Sequence, residues 1–370
     1  MNRVLLHTPD GVRDIYGSEC SDRLLVKNRI YSRMKSFGYR DIDTPTFEYF
    51  DVFAEEINAS AAKELYKFFD KEGNTLVLRP DFTPSIARCA SKVMLDDGES
   101  VRVVYQGKSF LNTSLLQGKL KENYSIGVEL FNDDSVYTDA EMIALLVESL
   151  KAAGLSEFQV SIGDADYYKG ICEEAGIDSE TEELVREQIL QKNYFAAESI
   201  MNERGISEKY SDLIVKVSEF IGSDDALIRA TEQVTNSRSI KALERLKKLY
   251  MVLKEYKVEG YVSFDLSMLS NFNYYTGVIF AAYTYGVGDA IAKGGRYDSL
   301  LGKYGKNAPA IGFVIVLDDL MSALYRQNID IEHEEDVLVL EYTEKTFPDM
   351  LSKAGELRSR GKKVSLILKK

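Results

Sequence analysis

Hydrophobic and polar positions follow two different periods along the chain, and each period predicts its own kind of element. Over residues 21–38, apolar side chains recur at helical spacing, which predicts an amphipathic helix with Ser21 as its N-cap and Gly38 in a left-handed C-cap. Residues 75–79 and 101–106 have the composition of strands. Helices and strands are therefore both expected within the first third of the chain.

The clearest strand covers residues 124–130, where large apolar side chains alternate with small or polar ones. The apolar side chains share one face of the strand. The other face is small, polar and acidic and carries Ser125, Gly127 and Glu129. This second face is either the floor of a pocket or a solvated sheet face, and the alternation alone does not decide between them.

The middle of the chain changes character. A capping-box match at Thr138 and Glu141 predicts a helix that ends at Gly154, and a strand follows over 158–162. Over 165–256, charged helical periodicity dominates and no convincing strand is found. We interpret this stretch as a helical insertion between two halves of a sheet domain.

The sheet resumes after the insertion. Strands are expected at 262–266, 274–281 and 310–317, with a turn into a helix at 294–298. After a charged run at 330–336, one β-α-β unit ends the sequence. The elements do not alternate as regular βαβ units, so the fold class is α+β. The predicted divisions are 1–164 and 257–328 for the two halves of the core, 165–256 for the insertion and 329–370 for the C-terminal unit.

Composition limits the chemistry. The chain has 59 acidic and 46 basic side chains, a net charge of −13, which argues against a nucleic-acid partner. With His7 and His333 as its two histidines and three scattered cysteines, a metal site or a Ser-His-Asp triad is not expected. No phosphate-binding GxxxxGK[ST] loop is present, so no cofactor is predicted. The sequence shows no signal peptide and no membrane span, and a cytoplasmic protein is expected.

Six segments, in order, resemble histidyl-tRNA synthetases. They are TPDGVRD (8–14), GYRDIDTP (38–45), LRPDFT (78–83), IGVEL (126–130), YYTG (274–277) and GGRYD (294–298). The resemblance implies a class II aminoacyl-tRNA synthetase core, an antiparallel sheet flanked by helices, that forms a dimer through the segment around Pro45. The C-terminal unit is similar to the opening of an anticodon-binding domain.

The departures from that family concern the ATP site. The family holds ATP with arginines because a reacting phosphoryl centre needs fixed positive charge. The resemblance places Leu111, Ser270 and Asp319 at three of those arginine positions, and Thr113 at an acidic one. It therefore implies that adenylate synthesis is lost and that the chain has no catalytic residues.

The residues at the positions that bind the amino acid match the synthetase family more closely than those at the ATP positions do. By the resemblance, an acidic residue pairs with the amino group of histidine, a second acidic residue faces the ligand, and tyrosines enclose the imidazole. The histidine-binding residues it implies are Asp81, Thr83, Glu129, Tyr274, Tyr275 and Tyr297. A family glutamine is replaced by Ser125. The alternative is that these side chains serve the fold, through tyrosine packing and a turn capped by Asp81.

A synthetase-like core with a helical insertion and damaged ATP residues resembles the regulatory subunits of ATP phosphoribosyltransferase, the first enzyme of histidine biosynthesis. That resemblance implies a short-form catalytic subunit as partner, assembled with it in a hetero-octamer, and L-histidine as the feedback effector. Two alternatives are a divergent histidyl-tRNA synthetase and a free-standing histidine-binding paralogue.

Overall fold

The computed structural model describes residues 6–54, 61–95, 98–113, 119–269, 275–332 and 337–369. Ser270, Tyr274 and His333, which the sequence singled out, lie outside the described residues. Within the described residues, no helix is both long and apolar enough to cross a membrane.

The framework is a nine-stranded mixed sheet with helices packed on it. Its strand order is β1-β5-β6-β12-β11-β10-β7-β9-β8. All neighbouring pairs are antiparallel except β1 with β5 and β7 with β9, which are parallel. In chain order the strands of this sheet are β1 (Arg40–Asp41), β5 (Val101–Phe110), β6 (Glu122–Phe131), β7 (Phe158–Asp164), β8 (Ile221–Gly222), β9 (Val262–Asp265), β10 (Val278–Thr284), β11 (Ala292–Arg296) and β12 (Ala310–Val316).

The helices are α1 (Gly17–Ser36), α2 (Thr83–Val93), α3 (Val136–Ala152), α4 (Ala165–Glu174), α5 (Ser179–Leu190), α6 (Tyr194–Glu203), α7 (Glu208–Lys216), α8 (Asp224–Thr231), α9 (Ser237–Glu255), α10 (Leu317–Arg326) and α11 (Phe347–Ser359). Helices α1, α3 and α10 pack on the nine-stranded sheet, and a run of six helices stands between β7 and β9. This agrees with the predicted helical stretch over 165–256, apart from the two-residue strand β8. The domain boundaries stay a prediction.

The main core lies where α3 and α9 pack together beneath the sheet. From Val136 to Leu150, α3 is buried on nearly all sides, because α1, α9 and strand β12 all pack against it. A helix that is apolar all round must be enclosed in this way. The core therefore continues from the sheet into the helical segment 165–256 without a break.

Two predicted helix starts, Ser21 for α1 and Thr138 for α3, are wrong. Helix α1 begins at Gly17, so Ser21 lies inside its second turn; Gly38 does take the predicted left-handed conformation, with φ of 87°. The N-cap of α3 is Ser135, whose side chain accepts from the Thr138 N–H. Thr138 lies three residues after this N-cap, inside the helix, and its own hydroxyl donates back to the Ser135 carbonyl.

The GGRYD segment is also not the predicted turn into a helix. Its first three residues belong to strand β11, and a short 3₁₀ helix follows only at Leu300–Tyr304. A Cβ atom on Gly294 would lie 2.5 Å from the Gly312 carbonyl oxygen of the neighbouring strand. The glycine there permits close approach within a sheet and does not form a turn.

A second, three-stranded sheet carries aromatic side chains on its outer face. Its strands are β2 (Phe47–Tyr49), β3 (Lys67–Phe69) and β4 (Thr75–Leu78), in the order β2-β4-β3. Phe47 and Tyr49 are 53% and 56% exposed, and the Phe68 ring meets Phe47 edge-on. We call these three side chains the aromatic face. The adjacent segment is held by Arg79, which donates to the Thr44 and Pro45 carbonyls.

The C-terminal β-α-β unit forms as predicted. Strands β13 (Leu338–Tyr342) and β14 (Val364–Leu368) pair in parallel, and α11 connects them. The Phe347 ring packs at 4.9 Å against Tyr342. Among the described residues of this unit, Ala354 is the one that is fully buried. The unit thus has little core of its own, as its size predicts.

Candidate functional site

A buried carboxyl group, Glu129, stands at the centre of the site. It lies on β6 with 1% of its surface exposed, on the strand face that the alternation marked as polar. The Thr83 hydroxyl donates to its Oε1 at 2.8 Å, and the Tyr297 hydroxyl donates to its Oε2 at 2.5 Å. Three residues that are distant in sequence therefore meet on one carboxyl group.

The surroundings of Glu129 favour its neutral form. Burial raises the pKa of its carboxyl to about 8, the hydrogen bonds from Tyr297 and Thr83 act against that rise, and the negative charge of Asp81 adds to it. Without a cation beside it, the carboxyl is mostly protonated at neutral pH. A positively charged ligand group placed against it would favour the ionised form.

Thr276, which follows Tyr275 in the chain, connects it to the two residues on either side of Tyr297. Thr276 donates its backbone N–H to the Arg296 carbonyl at 2.8 Å, and its hydroxyl accepts from the Asp298 N–H at 2.9 Å. The ring of Tyr275 also lies against Gly295, where an added Cβ would come within 2.6 Å of it. The two tyrosines thus form one wall. In the sequence, Thr276 stands out only as a member of the YYTG motif (274–277), and nothing local indicates this role.

The five predicted binding residues that the structure describes line one cavity of about 860 Å³. The structure brings Asp81, Thr83, Glu129, Tyr275 and Tyr297 together there, with Ser125 on the same strand as Glu129. The pocket interpretation of the polar face of β6 is therefore confirmed. Asp81 is half-buried, and its Oδ1 accepts from the Phe82 N–H at 2.7 Å, so it also performs the turn-capping that was the alternative for it.

The other end of the cavity is lined by Leu111, Thr113 and Asp319. The resemblance places Leu111 and Asp319 at two of the family's arginine positions and Thr113 at an acidic one. Four cationic side chains among the described residues line the cavity: Arg13, Lys119, Lys293 and Arg326. Asp289 forms ion pairs with Lys119 at 3.0 Å and with Lys293 at 3.2 Å, Arg13 pairs with Glu19, and Arg326 donates to the Gly286 carbonyl. Although partial burial acts against it, Lys293 and Lys119 bring the pKa of Asp289 down to about 2.

Asp319 adds negative charge at this end. Burial and the nearby charges of Asp289 and Asp318 raise the pKa of its carboxyl. A triphosphate brought here would meet the carboxyl groups of Asp289, Asp318 and Asp319, and Leu111 contributes no charge. Electrostatic stabilisation of a reacting phosphoryl group needs cations already in place. The lining of the cavity therefore differs at its two ends: one end has a buried carboxyl group between tyrosines, and the other has three aspartates beside cations that already have partners.

Comparison with known proteins agrees with the fold. The family model for histidyl-tRNA synthetase matches residues 11–320. A crystal structure from Bacillus halodurans, described as an ATP phosphoribosyltransferase regulatory subunit/histidyl-tRNA synthetase, superimposes with a TM-score of 0.88 at 30% identity, over 98% of this chain and 93% of that one. The mixed sheet, its flanking helices and the matched family define the class: this is a histidyl-tRNA synthetase-like protein.

Curated relatives place the chain within that class. It is 39% identical to the ATP phosphoribosyltransferase regulatory subunit of Acetivibrio thermocellus, over 88% of this chain and 78% of the relative. It is 35% identical to the subunit of the same name from Thermoanaerobacter pseudethanolicus, over 98% of this chain and 94% of the relative. The chain belongs to the family of ATP phosphoribosyltransferase regulatory subunits.

Proposed function

We propose that this chain acts in the cytoplasm as the non-catalytic regulatory subunit of ATP phosphoribosyltransferase, activating a short-form catalytic subunit and conveying feedback inhibition by L-histidine. The observation that carries the proposal is the difference between the two ends of one cavity. The end around Glu129 keeps its polar and aromatic groups, while the end at Leu111 and Asp319 opposes ATP. Such a protein would bind the amino acid without activating it.

Histidine binding would use Asp81, Thr83, Glu129, Tyr275 and Tyr297, with Tyr274 as a further residue of the site. The ammonium group of the ligand would pair with Asp81, and its imidazole would meet Glu129 between the tyrosine rings. Aromatic faces attract cations and planar rings, and a buried carboxyl gives direction to an N–H donor. Ser125, which is 5% exposed and within 3.3 Å of the Ser109 hydroxyl, would shape the floor of the pocket beside Glu129.

Feedback follows if the assembled complex has two global states and histidine prefers the inhibited one. The size of the inhibition is set by the difference in affinity between the states, typically about 1–3 kcal/mol, or several-fold to a hundredfold. Assembly with the catalytic subunit, as a hetero-octamer, supplies the second state. A specific interface with that partner is expected to bury at least about 1,000 Å².

Self-association is part of the proposal, through the segment around Pro45. The aromatic face beside that segment supports it, because Phe47 and Tyr49 expose more than half of their surface there. Exposed apolar patches with polar surroundings are typical of protein interfaces. Paired copies of this chain would give the complex a symmetric centre.

The deciding experiment mixes the purified chain with the short-form catalytic subunit from the same organism. We expect one complex by size-exclusion chromatography with light scattering, turnover above that of the catalytic subunit alone, and inhibition of that turnover by histidine. Separate elution at micromolar concentration with unchanged turnover would remove the regulatory role. A chain that still bound histidine by calorimetry would then be a free-standing binding paralogue, while adenylate formation would indicate a divergent synthetase.

A further inference from the structure

The tyrosine wall of the pocket is also held from outside the cavity, by two cations of the helical segment 165–256. The first is Lys169 on α4, whose Nζ donates to the Tyr275 carbonyl at 3.1 Å. The first residue of α4, Ala165, donates its N–H to the Gly277 carbonyl at 2.9 Å. The stretch from Tyr275 to Gly277 is therefore hydrogen-bonded to α4 at both of its ends.

The second cation acts on the other tyrosine. Arg296, which directly precedes Tyr297, donates from Nη2 to Asp139 Oδ1 at 2.6 Å. Arg245 of α9 donates from Nε to the other oxygen of the same carboxyl group at 2.7 Å. Asp139 has no exposed surface and Arg296 is 3% exposed, so this bridge is buried. A buried carboxylate needs a cationic partner, and here a different guanidinium group donates to each oxygen of Asp139, so the carboxylate joins Arg245 of α9 to Arg296.

These contacts join two tyrosines that are already joined to each other. Thr276 connects the Tyr275 stretch to Arg296 and Asp298, so a restraint on either side acts on the whole wall. Lys169 gives up part of its hydration to reach Tyr275, and burial lowers the pKa of its ammonium group. Such a costly contact is expected where it fixes a geometry that the pocket uses.

We propose that Lys169 and Arg245 are positioning residues that set the tyrosine wall of the pocket, so that ligand binding and the docking of the helical segment 165–256 are thermodynamically linked. For its ligand readout the inference rests on the proposed histidine site. A ligand that needs Tyr275 and Tyr297 in place binds more tightly when the segment is docked. By reciprocity, the bound ligand stabilises the docking of the segment by the same factor.

The test compares Lys169→Met, which keeps the side-chain length and removes the donor, with Lys169→Arg, which keeps a donor. The matched control is Lys192→Met: Lys192 also joins the helical segment to the sheet domain, through Ser267 at 3.5 Å, but does not contact the tyrosine wall. Backbone amide exchange at Thr276 is measured without ligand, and histidine affinity is measured by calorimetry on the full chain.

We expect Lys169→Met to speed Thr276 exchange and to weaken histidine binding by about 3- to 10-fold, within the range for the net contribution of one typical hydrogen bond. Lys169→Arg should recover much of both, and Lys192→Met should change neither. Arg245→Met should behave like Lys169→Met, with Arg238→Met as its control, since Arg238 pairs only with Asp166 and Glu173 inside the helical segment among the described residues.

Two results would overturn the inference. One is wild-type exchange at Thr276 in Lys169→Met, or equal acceleration in the Lys192→Met control, which would indicate general loosening. The other is faster exchange with unchanged histidine affinity, because the position of the wall would then have no effect on ligand binding. If the wild-type chain bound no histidine, the proposed ligand would be wrong, and Thr276 exchange would still decide whether Lys169 positions the wall.

Discussion

Gly312 on β12 is paired with Glu129 on the neighbouring strand β6, and a Cβ atom on Gly312 would come within 1.7 Å of Glu129 Oε2. The same Cβ would lie 2.6 Å from the Val128 carbonyl oxygen, which belongs to the backbone and cannot rotate away. The carboxyl group of Glu129 thus occupies the space that the missing side chain leaves. Gly312 is required for the pocket through its lack of a side chain.

Gly312→Ala should therefore displace Glu129 and separate it from Tyr297. We expect loss of measurable histidine binding by calorimetry and a destabilisation of about 1–3 kcal/mol, the usual cost of an overpacked site. Gly288→Ala is the matched control, since Gly288 lines the same cavity and its Cβ would meet nothing within 4 Å. Wild-type affinity in Gly312→Ala would mean that Glu129 is not part of the ligand site.

Glu129→Gln keeps the size of the side chain and removes its charge. Histidine inhibition of the assembled complex should weaken by about tenfold or more, because a hydrogen bond to a charged group contributes roughly 1.5–3 kcal/mol. Assembly and uninhibited turnover should be retained, since Glu129 faces the cavity. The measurement is a histidine titration of wild-type and variant complexes. An unchanged inhibition constant would move the effector site to the partner or to the interface.

Local periodicity predicted the strand that carries the site and its polar face. The strand extends over Glu122–Phe131, and Ser125 and Glu129 do face a cavity. Alternation could establish this because it depends only on neighbouring residues. It could not establish what lies opposite Glu129, because the register of β12 against β6 brings Gly312 from more than 180 positions away.

The same limit applies to the residues that organise the site from behind. Asp139 was expected within a capping box, and nothing local distinguishes it from a solvated first-turn carboxylate. In the structure it is buried between Arg245 and Arg296, which come from a distant helix and strand. Burial of a charge is decided by tertiary packing, so such a bridge is found only after the elements have been placed.

The wild-type chain should not catalyse histidine-dependent exchange of pyrophosphate into ATP. Leu111 and Asp319 stand at the ATP end of the cavity, and Asp289 already engages Lys119 and Lys293 there. Loss of fixed positive charge removes several kcal/mol of transition-state stabilisation, in order of magnitude. An authentic histidyl-tRNA synthetase serves as the positive control. Exchange above background from the purified chain would restore the synthetase interpretation.

The proposed self-dimer makes a separate prediction about the aromatic face. The double variant Phe47→Ser, Tyr49→Ser should shift the chain toward monomer in sedimentation velocity, because it removes two large apolar side chains that alternate onto one face of β2. Phe195→Ser is the control: Phe195 on α6 is 83% exposed and lies away from the small sheet in the helical segment. A double variant that sediments like the wild type would exclude this face as the dimer contact.

The raised pKa of Glu129 predicts how stability depends on pH. The carboxyl titrates near pH 8 in the folded chain and at its ordinary value, about 4.5, in the unfolded one. Between those two values the folded state holds a proton that the unfolded state has released, so stability falls as pH rises through that window. The contribution of the neutral carboxyl is complete below about pH 4.5 and is lost above about pH 8.

Glu129→Gln cannot titrate at this position, so it should lose less stability across the window than the wild type does. We expect the melting temperature of the variant, relative to wild type, to rise by several degrees between pH 5 and about pH 8, without added histidine. Asp164, whose pKa burial raises to about 7, is present in both chains and cancels in the comparison. Glu122→Gln, at the outer end of the same strand where Glu122 pairs with Lys108, is the matched control for the loss of a carboxyl group from this strand. If the difference between Glu129→Gln and wild type did not change with pH, Glu129 would be ionised throughout, and the pocket without ligand would already hold the charge that meets the ligand.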